Sequence, residues 1–310
     1  MKNNLANLFN PKAWLIGFAS LLLKSLVALP HPWRLGLGRQ FGRLFYHINK
    51  KRRHIAKTNI AICLPKYKPV QQQQVLKKHF ESLGMALIET GMCWWESDTD
   101  LLNLTHFSGL HYIEEALENK RGAILLSAHF TPLELGLRLL AAAITQPVYA
   151  VYQAHTDPYL DKLILDNRLR HAGDVIAQND IRKMLKTLKQ NGIVWYAPDQ
   201  SYRGKYSEIV PFFDIPANSN TATSRLSKIS QAPVLPFFVR RDNSSLQYHV
   251  EILPPLVNYP SQDTVQDTLQ YHRLIEAQVY KAPDQYLWIH RRFKKRPAPY
   301  PDLYDKSLSN

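Results

Sequence analysis

From residue 123 onward, short apolar runs alternate with longer segments of helical composition. An apolar run of about four to eight residues is typical of a buried strand, and parallel strands need long, usually helical, connections. The predicted strands are 123–128, 147–152, 193–197 and 234–240, and the predicted helices are 53–63, 75–95, 159–170, 181–189, 221–230 and 264–281. Alternation at 246–253 predicts a half-exposed edge strand. The pattern predicts an α/β fold with a mostly parallel sheet flanked by helices.

The charge balance indicates which partners the chain attracts. Among 310 residues, 39 are Lys or Arg and 25 are Asp or Glu, which gives a formal net charge of +14. Such a chain attracts anions: phospholipid surfaces, phosphorylated lipids, acidic carrier proteins or nucleic acid. An apolar content of 45% excludes a disordered basic tail. Only two cysteines are present, Cys63 and Cys93, which predicts buried thiols in a reducing compartment rather than a disulfide framework.

The longest apolar stretch, residues 13–29, is interrupted by the charged residue Lys24. Its length is at the short limit for crossing a bilayer, so it either spans the membrane or lies in the interface. The cations that follow it, at 34, 39, 43 and 50–53, favour an anionic cytoplasmic leaflet in both cases. We therefore predict a membrane anchor at residues 1–30 and the α/β domain at 31–310. The alternative is an apolar core helix.

His129 and Glu134 lie where a predicted strand turns into a helix. Thr131 is a suitable N-cap and Pro132 suits the first helical position, so Glu134 is expected in the first turn. The pair places a base that is active at neutral pH beside a carboxylate, at the end of a sheet where ligands bind. The alternative is a capping box, in which Glu134 only satisfies the backbone N–H of Thr131.

Two further groups of residues suit anion binding or catalysis. Asp199 follows the strand at 193–197, so it is expected at the same sheet edge as His129, although Pro-Asp-Gln is also a common turn. Arg168 and Arg170 lie on a predicted helix, where either can bind a phosphate or remain solvated. The tract at 218–221 is predicted to begin a helix that either binds an anion or is merely capped. The tail at 286–297 mixes aromatic and basic residues, as in a lipid headgroup zone, and no RNA-binding motif accompanies it.

Taken together, these motifs resemble the late acyltransferases of lipid A biosynthesis, the lauroyl and myristoyl transferases of Gram-negative bacteria. The similarity covers nearly the whole chain, and the lauroyl type is most similar through the tail. The segments that carry it are 13–29, 59–65, 82–92, 129–136, 197–200 and 285–293, with Arg296 and Pro297. Two departures concern the substrate surface: Ser201 stands where a second aspartate is common, and Tyr152-Gln153-Ala154 stands where Tyr-Arg-Pro is common.

The resemblance implies a glycerolipid-acyltransferase-like fold and a lipopolysaccharide-biosynthesis enzyme of the bacterial inner membrane, with its catalytic body on the cytoplasmic face. It implies transfer of laurate, or a similar chain, from acyl-acyl carrier protein to a 3-hydroxyacyl chain of a lipid A precursor of the Kdo2-lipid IVA type. His129 would be the general base, with its tautomer set by Glu134. Arg168, with Arg170 as a second candidate, would hold a phosphate of the lipid or of the carrier's phosphopantetheine, and Asp199 would support either His129 or a basic partner.

No cofactor or metal is expected, because the H-x4-E pair lacks further ligands at zinc spacing. Nucleic acid is not an expected partner. One alternative is a glycerophosphate or phosphoglycolipid acyltransferase with the same chemistry. A second is a basic membrane adaptor that is not an enzyme.

Overall fold

The computed structural model describes residues 11–304 and begins with four helices. These are α1 (Pro11–Val27), α2 (His31–Ile48), α3 (Lys50–Cys63) and α4 (Pro69–Trp95). The first half of the α/β region comprises α5 (Asp98–Asn103), β1 (Thr105–Ser108), α6 (His111–Glu118), β2 (Ala123–Leu126), α7 (Leu133–Ala143), β3 (Val148–Tyr152), α8 (Pro158–Arg168) and β4 (Asp174–Ala177). The second half comprises α9 (Ile181–Lys189), β5 (Ile193–Tyr196), β6 (Ser207–Phe212), β7 (Ile215–Asn220), α10 (Ala222–Ser230), β8 (Val234–Arg241), β9 (Tyr248–Ile252) and α11 (Thr264–Lys281).

The main sheet has seven strands in the order β1-β9-β8-β2-β5-β3-β4. Strands β8, β2, β5, β3 and β4 are parallel, whereas β9 runs antiparallel to β8 and β1 runs parallel to β9. The predicted α/β class with a mostly parallel sheet is confirmed. The prediction of an edge strand at 246–253 is wrong, because β9 is covered on its outer side by β1. Alternate burial along β9 was correctly predicted, but alternation does not encode a strand's place in the sheet.

The core lies on both faces of the sheet, and β2 shows how the sequence builds it. All four of its side chains are buried, as expected for a central parallel strand. Ile124 and Leu126 point into a cluster with α9, α10 and α11, whereas Ala123 and Leu125 point into a cluster with α7 and the C-terminal half of α4. This alternation fixes the rotation of β2 about its own axis, so that one pair of side chains faces each cluster.

Helix α2 packs closely against α4 through glycines. Gly38 and Gly42 on α2 face Gly84 on α4, and a Cβ atom built on Gly84 would collide with the backbone of α2. The opposite face of α2 is exposed, and it carries apolar side chains at positions 33, 37, 41, 44 and 48. Since these positions are three or four residues apart, they form one continuous stripe, which we call the α2 stripe.

The apolar segment at 13–29 folds as α1, a helix of 17 residues. Its Leu23 and Val27 are buried and lie against α4 at Gly91. Within residues 11–304, no helix is long and apolar enough to cross a membrane. The first ten residues of the predicted anchor, 1–10, and the last six of the chain lie outside the described residues.

Candidate active site

Two neighbouring parallel strands bring His129 and Asp199 together. Leu126 at the end of β2 is paired with Tyr196 at the end of β5, and the backbone N–H of Ser127 donates to the carbonyl of Tyr196 at 2.8 Å. His129 and Asp199 each lie three residues beyond these paired positions. The carboxyl ends of adjacent parallel strands share one edge of the sheet, so the two side chains meet as the sequence predicts.

The contact between them defines the proton positions on the imidazole. Nδ1 of His129 lies 2.6 Å from Oδ1 of Asp199, and the backbone N–H of His129 donates to Oδ2 at 3.1 Å. Burial raises the pKa of Asp199, but the adjacent His129 ring and its hydrogen bonds outweigh burial and hold that pKa at about 2. Asp199 is therefore a carboxylate at neutral pH and only accepts, so Nδ1 carries the proton. The Nε2 lone pair of the neutral ring is left available, and this atom has no hydrogen-bond partner among residues 11–304.

Glu134 has a different partner from the one predicted. Its two carboxylate oxygens accept from Nε and Nη2 of Arg168 at 2.7 Å and 2.6 Å. The expectation that Glu134 sets the tautomer of His129 is corrected, because Asp199 occupies Nδ1. The capping-box alternative is also wrong: α7 begins at Leu133, and the Thr131 N–H donates to the carbonyl of Gln285 at 2.7 Å. Glu134 does lie in the first turn, but its side chain turns toward α8.

The Arg168 guanidinium remains a cation in this setting. Burial lowers the pKa of Arg168, but the hydrogen bonds and charge of Glu134 outweigh burial and raise it overall. The side chain of Arg168 is 19% exposed and that of Glu134 is 24% exposed. Nη1 of Arg168 makes no hydrogen bond with the part of the chain that the structure describes. The bidentate pair thus fixes the guanidinium plane and leaves one nitrogen free to donate.

A small cavity lies beside the imidazole. Its lining includes Asn59, Cys63, His129, Phe212 and His290, and its volume is about 10 Å³. That space takes about one water molecule or one hydroxyl group. The site therefore combines a base with a free lone pair, a buried carboxylate that stabilises its protonated form, and room for one oxygen-sized group. These are the requirements for removing a proton from a hydroxyl.

Comparison with known proteins assigns the family. The bacterial lipid A biosynthesis acyltransferase family matches residues 1–295. The lipid A biosynthesis lauroyltransferase of Escherichia coli (strain K12) is 35% identical over 96% of this chain and 97% of its own length. A lipid A biosynthesis acyltransferase of Haemophilus influenzae is 36% identical over 95% of both chains, and a palmitoleoyltransferase of Escherichia coli (strain K12) is 34% identical over 95% of this chain and 96% of its own.

The chain belongs to the bacterial lipid A biosynthesis acyltransferase family. It is therefore an acyltransferase that acts in lipid A biosynthesis, and the non-enzymatic adaptor alternative is excluded. The resemblance stated from the motifs is confirmed. Relatives named for lauroyl and palmitoleoyl transfer match this acyltransferase almost equally well, so identity alone does not select one acyl chain.

The C-terminal tail of the acyltransferase is part of the site rather than a lipid-facing surface. Tyr286, Trp288, Arg292 and Phe293 are buried, with exposures between 1% and 4%. Arg292 donates to the carbonyl of Asn218 at 2.6 Å. The prediction of a headgroup zone at 286–297 is therefore wrong for these side chains. Mixed aromatic and basic composition does not reveal whether the cations face water or backbone carbonyls.

Two functional residues were missed by sequence reasoning, Tyr286 and His290. The hydroxyl of Tyr286 donates to Oδ2 of Asp199 at 3.1 Å. His290 lines the cavity, accepts from the Ser201 N–H at 3.4 Å through Nε2, and has its pKa lowered to about 4, chiefly by burial. It is therefore a neutral group at pH 7. Both lie in the segment 285–293 that carries the resemblance, but no local pattern joins them to Asp199 or to the cavity.

Two other predicted anion-binding features are not organised as a site. Arg170 lies beyond the end of α8 and is exposed, and its side chain makes no hydrogen bond or ion pair within the described range 11–304. The tract at 218–221 ends strand β7 instead of beginning a helix, and α10 starts at Ala222. The Asn218 amide donates to the carbonyls of Lys294 and Lys295, so that side chain fastens the tail.

Proposed function

We propose that this enzyme transfers a fatty acyl chain, laurate or one of similar length, from acyl-acyl carrier protein to a hydroxyl group. The acceptor is the 3-hydroxyacyl chain of a phosphorylated disaccharide lipid of the Kdo2-lipid IVA type. Family membership supports the lipid A pathway, and the lauroyl- and palmitoleoyltransferase relatives support acyl chains of this kind. The net charge of +14 suits an acidic carrier protein and a phosphorylated acceptor.

The contact between His129 and Asp199 is the observation that carries this proposal. With Nδ1 held at 2.6 Å by the carboxylate, Nε2 takes the proton of the acceptor hydroxyl. The alkoxide oxygen attacks the thioester carbonyl carbon, and the carbon–sulfur bond breaks as the tetrahedral intermediate collapses. The imidazolium, stabilised by Asp199, returns its proton to the departing thiolate. No acyl-enzyme and no cofactor or metal is required.

Glu134 and Arg168 act as a unit in this mechanism. Glu134 fixes the guanidinium of Arg168 through two hydrogen bonds, and Nη1 is left to donate to a phosphate of the acceptor or of the carrier's prosthetic group. Arg170 is exposed beyond the end of α8, so it adds only a solvent-screened positive charge. In this proposal Glu134 is a positioning residue, and His129 alone exchanges protons with substrate.

We further propose that the enzyme lies on the cytoplasmic face of the bacterial inner membrane. In the α2 stripe, Trp33, Phe41 and Ile48 are 72%, 41% and 69% exposed to solvent. Helix α3 begins with the cationic run 50–53, next to the end of that stripe. Apolar side chains bordered by cations suit an anionic bilayer surface, where each cation near the surface contributes about 1 kcal/mol.

The proposed reaction is tested with purified enzyme, a defined tetra-acylated acceptor and carrier protein loaded with chains of 10 to about 16 carbons. We expect His129→Ala and Asp199→Asn each to lower turnover by about 10²–10⁴-fold, because the base is lost or its tautomer is no longer fixed. His111→Ala, at an exposed histidine on α6, is the matched control and should retain the wild-type rate. Turnover of His129→Ala within tenfold of wild type would overturn the mechanism, and no preference among chain lengths would overturn laurate.

A further inference from the structure

The segment after α11 is hydrogen-bonded along the turn that carries His129. The N–H of Thr131 donates to the carbonyl of Gln285 at 2.7 Å, and the N–H of Leu287 donates to the carbonyl of His129 at 2.9 Å. Between these two bonds, Phe130 forms an antiparallel bridge with Tyr286. The two hydrogen bonds flank Phe130 and hold the turn against residues 285–287. The conformation of the turn therefore depends on a segment more than 150 residues away in the sequence.

Gln285 in turn fastens this segment to the sheet. Its side-chain oxygen accepts from the backbone N–H of Arg241 at 2.8 Å, and its amide donates to the Arg241 carbonyl at 2.7 Å. Arg241 is the last residue of β8 and forms a buried ion pair with Glu89. The position of Tyr286 is thus set by the core rather than by loop flexibility.

The side chain of Tyr286 completes the environment of Asp199. Its ring is 4% exposed and contacts Phe130, Phe212 and Trp288, with centroids 5.6 Å, 5.7 Å and 5.0 Å away. Burial raises the pKa of the Tyr286 hydroxyl well above its usual value, so it stays a neutral donor. Oδ2 of Asp199 therefore accepts from the Tyr286 hydroxyl and from the His129 N–H, while Oδ1 accepts from the His129 ring.

We propose that Tyr286 is a positioning residue that tunes the basicity of His129 through Asp199. The inference rests on the proposed role of His129 as the general base. A hydrogen bond from the Tyr286 hydroxyl draws charge away from the carboxylate and fixes its plane, so Asp199 stabilises the imidazolium less than an unbonded carboxylate would. The base thus stays deprotonated over a wider pH range while its ring remains oriented.

Other charged and titratable groups surround this unit and are unchanged when Tyr286 is substituted. Arg292 acts electrostatically on Asp199. His272, on α11, is affected by Asp199 and by the neighbouring Arg273. His290 is affected by Asp199 and by Lys294. None donates a hydrogen bond to Asp199 within residues 11–304. Removal of the Tyr286 hydroxyl therefore changes one bond to the carboxylate and leaves the rest of the local charge unchanged.

The test compares Tyr286→Phe with Tyr248→Phe. Tyr248 is a matched control, because it is also buried and its hydroxyl also donates to a buried carboxylate, that of Glu89, at 3.0 Å. We expect Tyr286→Phe to lower kcat about tenfold and to move the acid limb of the pH profile of kcat/KM upward by at least about 0.5 pH unit. Tyr248→Phe should leave that limb in place even if it lowers stability.

A second readout does not depend on turnover. The imidazole of His129 is titrated by NMR in protein carrying ¹³C-labelled histidine, with its signal assigned by its absence in His129→Asn. The upward shift should appear in Tyr286→Phe and be absent in Tyr248→Phe. If Tyr286→Phe does not fold, 3,5-difluorotyrosine placed at 286 gives the opposite sign, because a more acidic phenol donates more strongly and should move the limb downward.

The outcomes separate the two proposals. The role of Tyr286 would be overturned if Tyr286→Phe and the protein with 3,5-difluorotyrosine at 286 both show the wild-type acid limb and the wild-type NMR titration. This holds whatever the loss of rate. That result would leave the base mechanism intact as long as His129→Ala is inactive. Wild-type turnover of His129→Ala would instead overturn the base mechanism, and the NMR titration would still report whether Tyr286 affects the ring.

Discussion

Arg168 binds Glu134 through two parallel hydrogen bonds, although the sequence motif pairs Glu134 with His129. The site therefore contains two carboxylates with different partners: Asp199 binds the His129 imidazole and Glu134 binds the Arg168 guanidinium. Of the two carboxylates, Asp199 therefore takes the place beside the base that the H-x4-E spacing suggested for Glu134. One orients the base, and the other orients a cation that has a free nitrogen.

This division of roles predicts strong coupling between Glu134 and Arg168. Glu134→Ala and Arg168→Ala should each lower kcat/KM by about 10–100-fold, and the double variant should be no worse than the poorer single variant. The reason is that each substitution alone already removes the oriented guanidinium. A double-mutant cycle in kcat/KM should give a coupling energy of at least about 1 kcal/mol.

The control for this cycle is the exposed pair Lys162 and Asp166 on the same helix, with side chains 74% and 52% exposed. Its two alanine variants should change kcat/KM by less than about twofold, because a surface pair contributes little. Losses at Glu134 and Arg168 that multiply in the double variant would show that the two residues act independently.

Helices that begin at a clear N-cap were predicted correctly from the local sequence. Helices α9 and α11 have the predicted bounds, 181–189 and 264–281, and each is preceded by an aspartate that accepts backbone N–H groups, Asp180 and Asp263. The meeting of His129 and Asp199 was also predictable, because it follows from two adjacent parallel strands. These features depend on a few neighbouring residues or on one rule of sheet topology.

The hairpin of β6 and β7 was missed for a physical reason. Its turn consists of Phe213 and Asp214, with φ values of 52° and 61°, where glycine or asparagine is the usual signal. Pro211 also argued against a strand, although a two-stranded ribbon has edges that tolerate proline. Tyr286 was missed because its partner, Asp199, is 87 residues away and no local pattern joins them.

Acid should destabilise the protein through buried histidines, and His79 is the clearest case. It is fully buried, its ring donates to the Asp284 carbonyl at 3.1 Å, and burial lowers its pKa from 6.5 to about 4. A lowered histidine pKa means that the unfolded chain binds the proton first. Stability is therefore complete above about pH 6.5 and decreases as the pH falls toward 4.

Urea unfolding at pH 7 and pH 5 measures this effect. His79→Asn keeps an N–H for the Asp284 carbonyl but cannot titrate, so it should reduce the stability difference between the two pH values by about 2 kcal/mol. His272 and His290, with pKa values lowered to about 3 and about 4, should preserve part of the acid sensitivity. His111→Asn, at an exposed position, should behave as wild type. An unchanged pH difference in His79→Asn would contradict the prediction.

The close contact of α2 and α4 should tolerate no side chain at Gly84. A Cβ atom there meets the backbone of Gly38 and Gly42, and backbone cannot move aside as a flexible side chain can. Gly84→Ala should therefore lower the free energy of unfolding by about 2 kcal/mol or more. Gly17→Ala on α1 is the control, because its Cβ would meet no atom within 4 Å and should slightly stabilise the helix. Equal stability of the two variants would mean that the helices can separate freely.

The α2 stripe should carry part of the affinity for a bilayer. Phe41 and Leu44 are 41% and 58% exposed at its centre, and burying two large apolar side chains contributes about 2 kcal/mol. The double variant Phe41→Ser, Leu44→Ser should therefore bind vesicles containing phosphatidylglycerol about 10–30-fold more weakly in a sedimentation assay. Its acyl transfer to acceptor dispersed in detergent should be unaffected, because neither Phe41 nor Leu44 lines the cavity beside His129.

The control removes two exposed apolar side chains elsewhere on the surface. Ile229 on α10 and Val257 after β9 are 55% and 72% exposed, and their double serine variant should bind vesicles as wild type does. Salt should weaken the binding of both proteins, because the cations at 50–53 are unchanged in each. If the two double variants lose affinity equally, the bilayer does not select the α2 stripe, and apolar exposure alone accounts for binding.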